Sequence, residues 1–182
     1  MRIAVVGAGA VGGVFGARLA AAGHDVTFIA RGATLAVLRA RGLQLDSVHG
    51  DVQLPVVQAT DDPSSVGPVD LVLVGVKATQ VVAIAPTLAP LLGPATAVIP
   101  LQNGVEASVQ LAAALGNDHI LEGLCRVIAE QAAPGHIRHM AVTPLLEFGP
   151  RAGHPPAPAV AAAIPAIAEA VFVAIEMAAG AC

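Results

Sequence analysis

The sequence predicts an α/β protein with a Rossmann-like, doubly wound and mostly parallel sheet. Three observations carry this prediction: apolar runs alternate with segments of helical spacing, the first run ends in a glycine-rich turn, and two later runs are almost continuously apolar. Alternating strands and helices are typical of a parallel sheet that helices cover on both faces. Continuously apolar strands are expected where both faces of the sheet are buried.

The first thirty residues predict a strand, a glycine turn, a helix and a second strand. The strand at residues 3–6 leads into the turn Gly7, Ala8, Gly9, Ala10, Val11, Gly12, and the second strand lies at residues 26–30. In the spacing G-x-G-x-x-G, the first glycine permits a tight turn, the second lets a pyrophosphate approach the backbone, and the third brings the helix close to the strand. Because the free N–H groups at the helix start bind phosphate, this unit predicts dinucleotide binding.

Arg31 follows the second predicted strand, at the position that distinguishes the two nicotinamide dinucleotides. An NAD site usually carries Asp or Glu about 20 residues past the glycines, where the carboxylate binds the ribose 2′-hydroxyl. A carboxylate there would repel a 2′-phosphate, whereas a guanidinium binds it with two hydrogen bonds. We therefore expect NADP(H); the alternative is a solvated arginine at a strand end.

The alternation of strands and helices continues to residue 150, and residues 1–150 are predicted to be one nucleotide-binding domain. A helix at residues 33–41 is expected to end at Gly42 and to be followed by a β-hairpin. The predicted strands are residues 43–48, 52–58, 69–76, 97–101, 120–130, 135–141 and 145–148, the last two antiparallel, and the later helices are residues 79–92, shortened or kinked by prolines, and 105–115.

Residues 151–182 differ in composition from the rest of the chain. A proline-rich stretch predicts a linker, and residues 157–179 predict a helix with Glu169 and Glu176 on one face and apolar side chains on the other. Since a large apolar face usually marks an interface, we expect this helix to fold back on the nucleotide-binding domain or to self-associate, most simply as a homodimer. Its alanine-rich composition makes a membrane span a weak alternative.

The composition argues against several classes of protein. Only 12% of the residues are charged, the net charge is −4 and no basic cluster occurs, so nucleic-acid binding is not expected. Five glycines between residues 7 and 16 are unlike a signal peptide, so we expect a cytoplasmic protein without a membrane segment.

Cys125 and Cys182 form no paired motif, which suits a reducing compartment. The six histidines are expected at the surface or in loops, and no metal site is predicted.

Two polar residues follow predicted inner strands and are candidates for the site. Lys77, the one lysine of the sequence, comes after residues 69–76, and Asn103 comes after residues 97–101. Ligands of open α/β sheets bind outside the carboxyl ends of the strands, so both residues are expected near the dinucleotide. The alternatives are a solvated lysine at a helix start and an asparagine that only caps the next helix.

Together these motifs resemble the nucleotide-binding domain of the ketopantoate reductase (2-dehydropantoate 2-reductase) family. The resemblance rests on GAGAVG, the IAR ending, TDDPSSVGPVDLVLVGVKATQ, LQNGVE, PGHIRH and EFGP, and it extends from Met1 to about Pro150. It implies the reduction of 2-dehydropantoate, a 2-keto acid, to pantoate with NADPH on the route to pantothenate. It also implies that Gly7–Gly12 bind the pyrophosphate and that Arg31 binds the 2′-phosphate. By the same resemblance, Lys77 lies near the cofactor and Asn103 contacts both the nicotinamide ribose and the substrate. The backbone of Ala129 is implied to touch the cofactor.

The sequence departs from this family in its C-terminal part. The resemblance places the proton-donating lysine and the substrate-holding residues in an all-helical C-terminal domain, and no lysine follows Lys77. The catalytic residues are therefore unknown, and the chain is expected to be either a fragment or a natural truncation. Two alternatives remain: an NADP-binding module without catalysis, or a reductase of another 2-keto acid or a 3-hydroxyacid.

Overall fold

The computed structural model describes the backbone of residues 1–179 and the side chains of residues 1–175. The strands are β1 (Arg2–Val6), β2 (Asp25–Ile29), β3 (Leu43–Ser47), β4 (Val52–Leu54), β5 (Gln58–Thr60), β6 (Leu71–Val74), β7 (Ala97–Pro100), β8 (Leu121–Ala133) and β9 (His136–Pro150). The helices are α1 (Ala10–Ala21), α2 (Gly32–Arg41), α3 (Val81–Ile84), α4 (Glu106–Leu115) and α5 (Pro158–Ala179), with 3-10 turns at Pro63–Ser65, Ala78–Gln80 and Ala85–Leu91.

The first sheet confirms the predicted Rossmann-like core. Its strand order is β5–β2–β1–β6–β7, and every neighbouring pair is parallel. All residues of β6 and β7 are buried, which explains why these two segments are apolar throughout. The chain moves outward from β1 to β2 and β5, and then returns to the other side of β1 with β6 and β7. A crevice therefore opens at the carboxyl ends of β1 and β6, where ligands of this fold bind.

Helix α1 lies between the first sheet and a second one, and its glycines make room for both. Gly16 faces the first sheet, where an added Cβ would collide with the ring of Phe28. Gly13 faces the second sheet, where an added Cβ would lie 2.6 Å from Cγ1 of Ile137. Because α1 is covered on several sides, it needs no polar face, and even Arg18 is buried in it.

The second sheet has the order β4–β3–β9–β8. The predicted hairpin is confirmed as β3 and β4, whereas the prediction of two antiparallel strands at residues 135–141 and 145–148 is wrong. Both segments belong to the single strand β9, which pairs in parallel with β3 and antiparallel with β8. The β8–β9 ladder shifts register next to Pro144, where Val142 has a φ of 57°. We attribute this bulge to Pro144, which has no N–H group to donate to the ladder.

Prolines also explain two other differences from the predicted elements. Pro55 divides the strand expected at residues 52–58, so that β4 joins the second sheet and β5 joins the first. Pro86 and Pro90 restrict the helix expected at residues 79–92 to the single turn of α3, followed by 3-10 turns. In each case proline removes a backbone donor that a continuous element requires.

Helix α5 packs against α1 and β9 and joins the same apolar core as the first sheet. Val160, Ile167 and Val171 are buried in that core. The segment Pro158–Ile175 is long and apolar enough to cross a membrane by length and composition, a test that a core helix of a soluble protein also passes. The side chain of Glu176, and Cys182, lie outside the described residues.

His139 contradicts the prediction that the histidines lie at the surface or in loops. Its side chain is 1% exposed, although its neighbour in the motif, His136, is only half-buried. The two side chains do lie on opposite faces of β9, as an odd spacing requires. His139 lies on the face of β9 that packs against α1, so its side chain is buried although it is polar.

Candidate nucleotide-binding site

A cavity of about 430 Å³ opens at the carboxyl ends of β1, β2 and β6. It is lined by the glycine turn, by the first residues after β2, by the turn after β6 and by one residue of β8. The lining includes Gly7, Ala8, Gly9, Arg31, Thr34, Gly75, Lys77, Gln80 and Gln131. This is the edge at which an open α/β sheet binds its ligand. Of the residues in the described lining, Arg31 and Lys77 are charged and none is acidic, so the cavity suits an anionic ligand.

The glycine turn is held in place by backbone contacts that leave no room for a side chain. Gly7 has a φ of +94°, and its N–H donates to the carbonyl of Ile29 at 2.8 Å. A Cβ at Gly7 would lie 2.9 Å from the backbone nitrogen of Val76, and one at Gly12 would collide with the carbonyl oxygen of Gly7. These two glycines therefore let the turn and α1 pack against the strands, as the spacing predicted.

Gly9 differs from the other two glycines of the motif. A Cβ built on it meets no described atom within 4 Å, and the residue lines the cavity. It is also the N-cap of α1, whose start is not capped by any side chain in the described part of the chain. The first N–H groups of a helix have no partner within the helix, so they are available to a phosphate. An open backbone beside free donors is the arrangement that a pyrophosphate requires.

Arg31 lies at the end of β2 and is the N-cap of α2. Its side chain is exposed, and it lines the cavity together with Thr34 of the first turn of α2. Opposite them, the side-chain amide of Gln131 in β8 donates to the hydroxyl of Thr34 at 3.2 Å. Thr34 and Gln131 are not found by the sequence motifs, because the contact joins residues 97 positions apart.

Lys77 lies where the sequence places it, directly after the turn that follows β6. It is exposed, and its backbone N–H donates to the side-chain oxygen of Gln80 at 3.2 Å. That bond closes the 3-10 turn Ala78–Gln80 and turns the chain away from the sheet. Lys77 therefore stands at the cavity edge with its ammonium group in contact with solvent.

Asn103 lines a second cavity, of about 430 Å³, together with Ala78, Thr79 and Glu106. The linings of the two cavities meet in the sequence, because Lys77 lines the first cavity and the next residue, Ala78, lines the second. The alternative that Asn103 only caps the following helix is not supported: the N-cap of α4 is Val105, and no side chain of the described residues caps it. Asn103 is thus exposed and available to a ligand that extends past Lys77.

Gln102 connects the two strand ends that carry Lys77 and Asn103. Its side-chain nitrogen donates to the carbonyl of Val74 at 2.9 Å and to that of Val76 at 2.7 Å. Since both partners are carbonyl oxygens, the orientation of the amide is determined, and its oxygen is buried without a partner among the described protein atoms. Gln102 therefore fixes the loop after β7 relative to the turn after β6.

Ala129 is not part of the cavity lining. It pairs with His139 in the β8–β9 ladder and packs, half-buried, against the apolar core. Two residues further along β8, Gln131 reaches the cavity instead. Among the described residues, no group of three or more His, Cys, Asp or Glu side chains is placed to bind a metal.

Comparison with known proteins gives one family over most of this chain. The ketopantoate reductase (PanE/ApbA) family profile matches residues 3–153. The chain is 34% identical over 139 residues to a 2-dehydropantoate 2-reductase of Nostoc sp., covering 76% of this chain and 43% of that protein. It is 40% identical over 106 residues to one of Mesorhizobium japonicum, covering 58% of this chain and 32% of that protein.

The fold leads to the same family. The crystal structure of 2-dehydropantoate 2-reductase from Geobacter metallireducens superimposes with a TM-score of 0.84 at 32% identity, covering 96% of this chain and 56% of that one. The chain therefore spans about half the length, or less, of the relatives that it matches.

Proposed function

This chain belongs to the ketopantoate reductase family, and on that premise we propose that it binds NADPH as the nucleotide-binding part of an NADP-dependent oxidoreductase. The observation that carries the proposal is the cavity at the carboxyl edge of the first sheet. It combines an open backbone at Gly9 with two cationic side chains, Arg31 and Lys77, and no acidic residue among its described lining. NAD sites usually place a carboxylate where Arg31 stands.

We infer the direction of the bound dinucleotide from the order of the strands. The pyrophosphate would lie over Gly9 and the start of α1, and the adenosine half would extend toward Arg31 at the end of β2. The nicotinamide half would then extend across β6 toward Lys77, which lines this cavity, and toward Asn103, which lines the second cavity together with Ala78. Gln102 would hold these two residues in register through its bonds to Val74 and Val76.

For the reaction, we propose the NADPH-dependent reduction of 2-dehydropantoate to pantoate, a step of cytoplasmic pantothenate synthesis. The support is the reaction named for the relatives from Nostoc sp. and Mesorhizobium japonicum. When bound, the cofactor supplies the hydride, while the protein binds and orients both reactants and handles the proton. In this proposal the glycine turn and Arg31 orient the cofactor, and Asn103 contacts the 2-keto acid.

A second candidate function is NADPH binding by these 182 residues without turnover. The observation that favours it is that the cavity combines the open backbone at Gly9 with Arg31 and Lys77, all of which serve cofactor binding. A reductase of another 2-keto acid or a 3-hydroxyacid is the remaining alternative.

Calorimetric titration of the 182-residue chain tests the binding proposal. We expect NADPH to bind, and NADH to bind about ten- to a hundredfold more weakly, because one charged hydrogen-bonding group contributes about 1.5–3 kcal/mol. Absence of NADPH binding would refute the proposal. Equal affinity for the two would refute the preference for NADP.

An absorbance assay of NADPH oxidation tests the reaction. The chain is assayed with 2-dehydropantoate alone and when fused to the C-terminal half of the Nostoc relative. Turnover only in the fusion supports the binding-module alternative for these 182 residues. Turnover with a different 2-keto acid in preference to 2-dehydropantoate would reject the proposed substrate.

A further inference from the structure

The contact between Gln131 and Thr34 joins two distant parts of the chain beside Arg31. Thr34 belongs to the first turn of α2, whereas Gln131 belongs to the last residues of β8, before the turn into β9. The amide nitrogen of Gln131 lies 3.2 Å from the hydroxyl oxygen of Thr34, and both side chains line the nucleotide cavity. The long hairpin of β8 and β9 thus reaches the arginine end of the cavity through a polar side chain.

The chemistry of this pair suits an anion. Because the threonine oxygen accepts from Gln131, its own O–H is free to donate, and the amide of Gln131 retains a second N–H. Arg31 adds up to five donors and a full positive charge. Three neighbouring side chains therefore present donors to one end of a cavity whose described lining has no carboxylate.

We propose that Thr34 and Gln131 complete the binding site for the 2′-phosphate of NADPH, with Gln131 acting as a specificity-determining residue delivered by the β8–β9 hairpin. This inference rests on the proposed NADPH binding and extends it to two residues that the glycine and arginine motifs do not contain. Hydrogen bonds to a charged group are stronger than neutral ones, and the chain from amide to hydroxyl to phosphate reinforces each link.

Substitutions of opposite charge at residue 131 test the proposal. Gln131→Glu would place a carboxylate beside the phosphate, and we expect it to weaken NADPH about ten- to a hundredfold while NADH changes less than about threefold. Gln131→Arg would add a cation, and we expect NADPH to bind at least as tightly as in the wild type, with an increased ratio of NADPH to NADH affinity. Thr34→Val, which keeps the shape and removes the hydroxyl, should weaken NADPH about five- to tenfold.

Gln53 provides the matched control. It is exposed on β4 of the second sheet and is not part of the cavity lining. Gln53→Glu and Gln53→Arg make the same changes of charge and should leave both affinities unchanged. Affinities are measured by calorimetry, and melting temperatures without ligand show whether each variant folds.

The outcomes separate this inference from the proposed function. If the wild-type chain binds neither NADPH nor NADH, the proposed function fails. If the wild type binds NADPH but Gln131→Glu does too, or loses NADPH and NADH equally, the role of Gln131 in specificity is overturned. If Gln131→Glu does not fold, Gln131→Arg decides: a decreased ratio of NADPH to NADH affinity overturns the proposal.

Discussion

Arg18 and Arg31 both follow the glycine turn in sequence, Arg18 within α1 and Arg31 at the start of α2, and their surroundings differ completely. Arg31 is exposed and lines the cavity at the carboxyl edge of the first sheet. Arg18 is 6% exposed between α1 and the second sheet, where one guanidinium nitrogen donates to the hydroxyl of Ser47 at 2.8 Å and to the carbonyls of His49 at 3.1 Å and Gly50 at 2.8 Å. The same kind of side chain is thus exposed beside a cavity in one region and hydrogen-bonded inside the protein in the other.

The internal region is a connected polar network. The hydroxyl of Ser47 lies 2.8 Å from Nδ1 of His139, and Nε2 of His139 lies 2.8 Å from the carbonyl oxygen of Val142. Since Nε2 faces carbonyl oxygens only, it carries the proton and donates, and Nδ1 then accepts from Ser47. Burial lowers the pKa of the Arg18 guanidinium, and nearby Asp51 opposes that effect.

The difference shows how polar groups divide between stability and binding in this fold. Groups between α1 and the second sheet use their hydrogen bonds inside the protein, which stabilises the contact of the two layers. Groups at the cavity leave donors available to a ligand. We therefore expect substitutions in the network to change the free energy of unfolding and substitutions at the cavity to change affinity.

Gly9→Val is expected to have the largest effect on binding. A valine side chain would project into open space beside the start of α1 and block the pyrophosphate, so binding of both NADPH and NADH should be abolished. Because no described atom lies within 4 Å of the added Cβ, the melting temperature should stay close to that of the wild type. Gly149→Val is the control, since its Cβ is equally free but lies outside the cavity lining. Wild-type affinity in Gly9→Val would refute the pyrophosphate site.

Arg18→Met should produce the largest loss of stability among the arginine substitutions. It removes the charged donor from the hydroxyl of Ser47, which keeps its bond to His139, and from the carbonyls of His49 and Gly50, at a cost of about 2–4 kcal/mol in the free energy of unfolding. Urea unfolding measures this cost. Arg39→Met is the control: its ion pair with Asp61 is solvent-exposed, so a loss below about 1 kcal/mol is expected. A change in the ratio of NADPH to NADH affinity in Arg18→Met would contradict the division between the two regions.

Arg31→Ala should change affinity and leave stability nearly unaltered. Loss of the guanidinium is expected to weaken NADPH by about 1.5–3 kcal/mol and NADH much less, because only NADPH carries the 2′-phosphate. Titration of both dinucleotides against this variant measures the effect. Equal losses for the two would show that Arg31 does not bind the 2′-phosphate.

The smallest expected effect is a pH dependence in the second sheet. Hydrogen bonds from Gln44 and His136 hold the pKa of Asp46 below its ordinary value of 3.8. A carboxylate with a lowered pKa stabilises the fold above the unfolded-state value, and the stabilisation is lost as the pH falls from 3.8 through the folded-state value. Thermal melts across this acid range should show a small decrease that Asp46→Asn reduces. The affinity for NADPH at neutral pH should not differ in Asp46→Asn, and a difference would again contradict the separation of the two regions.

The sequence by itself determined strands β1, β2, β6 and β7 of the first sheet and the segments that line most of the cavity at their carboxyl ends. The glycine spacing, Arg31 and Lys77 all belong to short segments in which neighbours in the chain are neighbours in space. A strand, a tight turn and a helix place their residues through local geometry alone, so spacing is sufficient to locate them. For the same reason Gly42, with a φ of 75°, ends α2 where the pattern predicted.

Only the tertiary structure decided the pairing of β9 with β3 and β8, the burial of His139 and the position of Gln131 at the cavity. Ser47 and His139 are 92 residues apart, and Thr34 and Gln131 are 97 apart. No local pattern encodes such pairs, because they depend on how far the β8–β9 hairpin extends and which face of it covers α1. That geometry follows from packing, in which Gly13 and Gly16 let two sheets approach one helix, and it therefore appears only when the whole chain is folded.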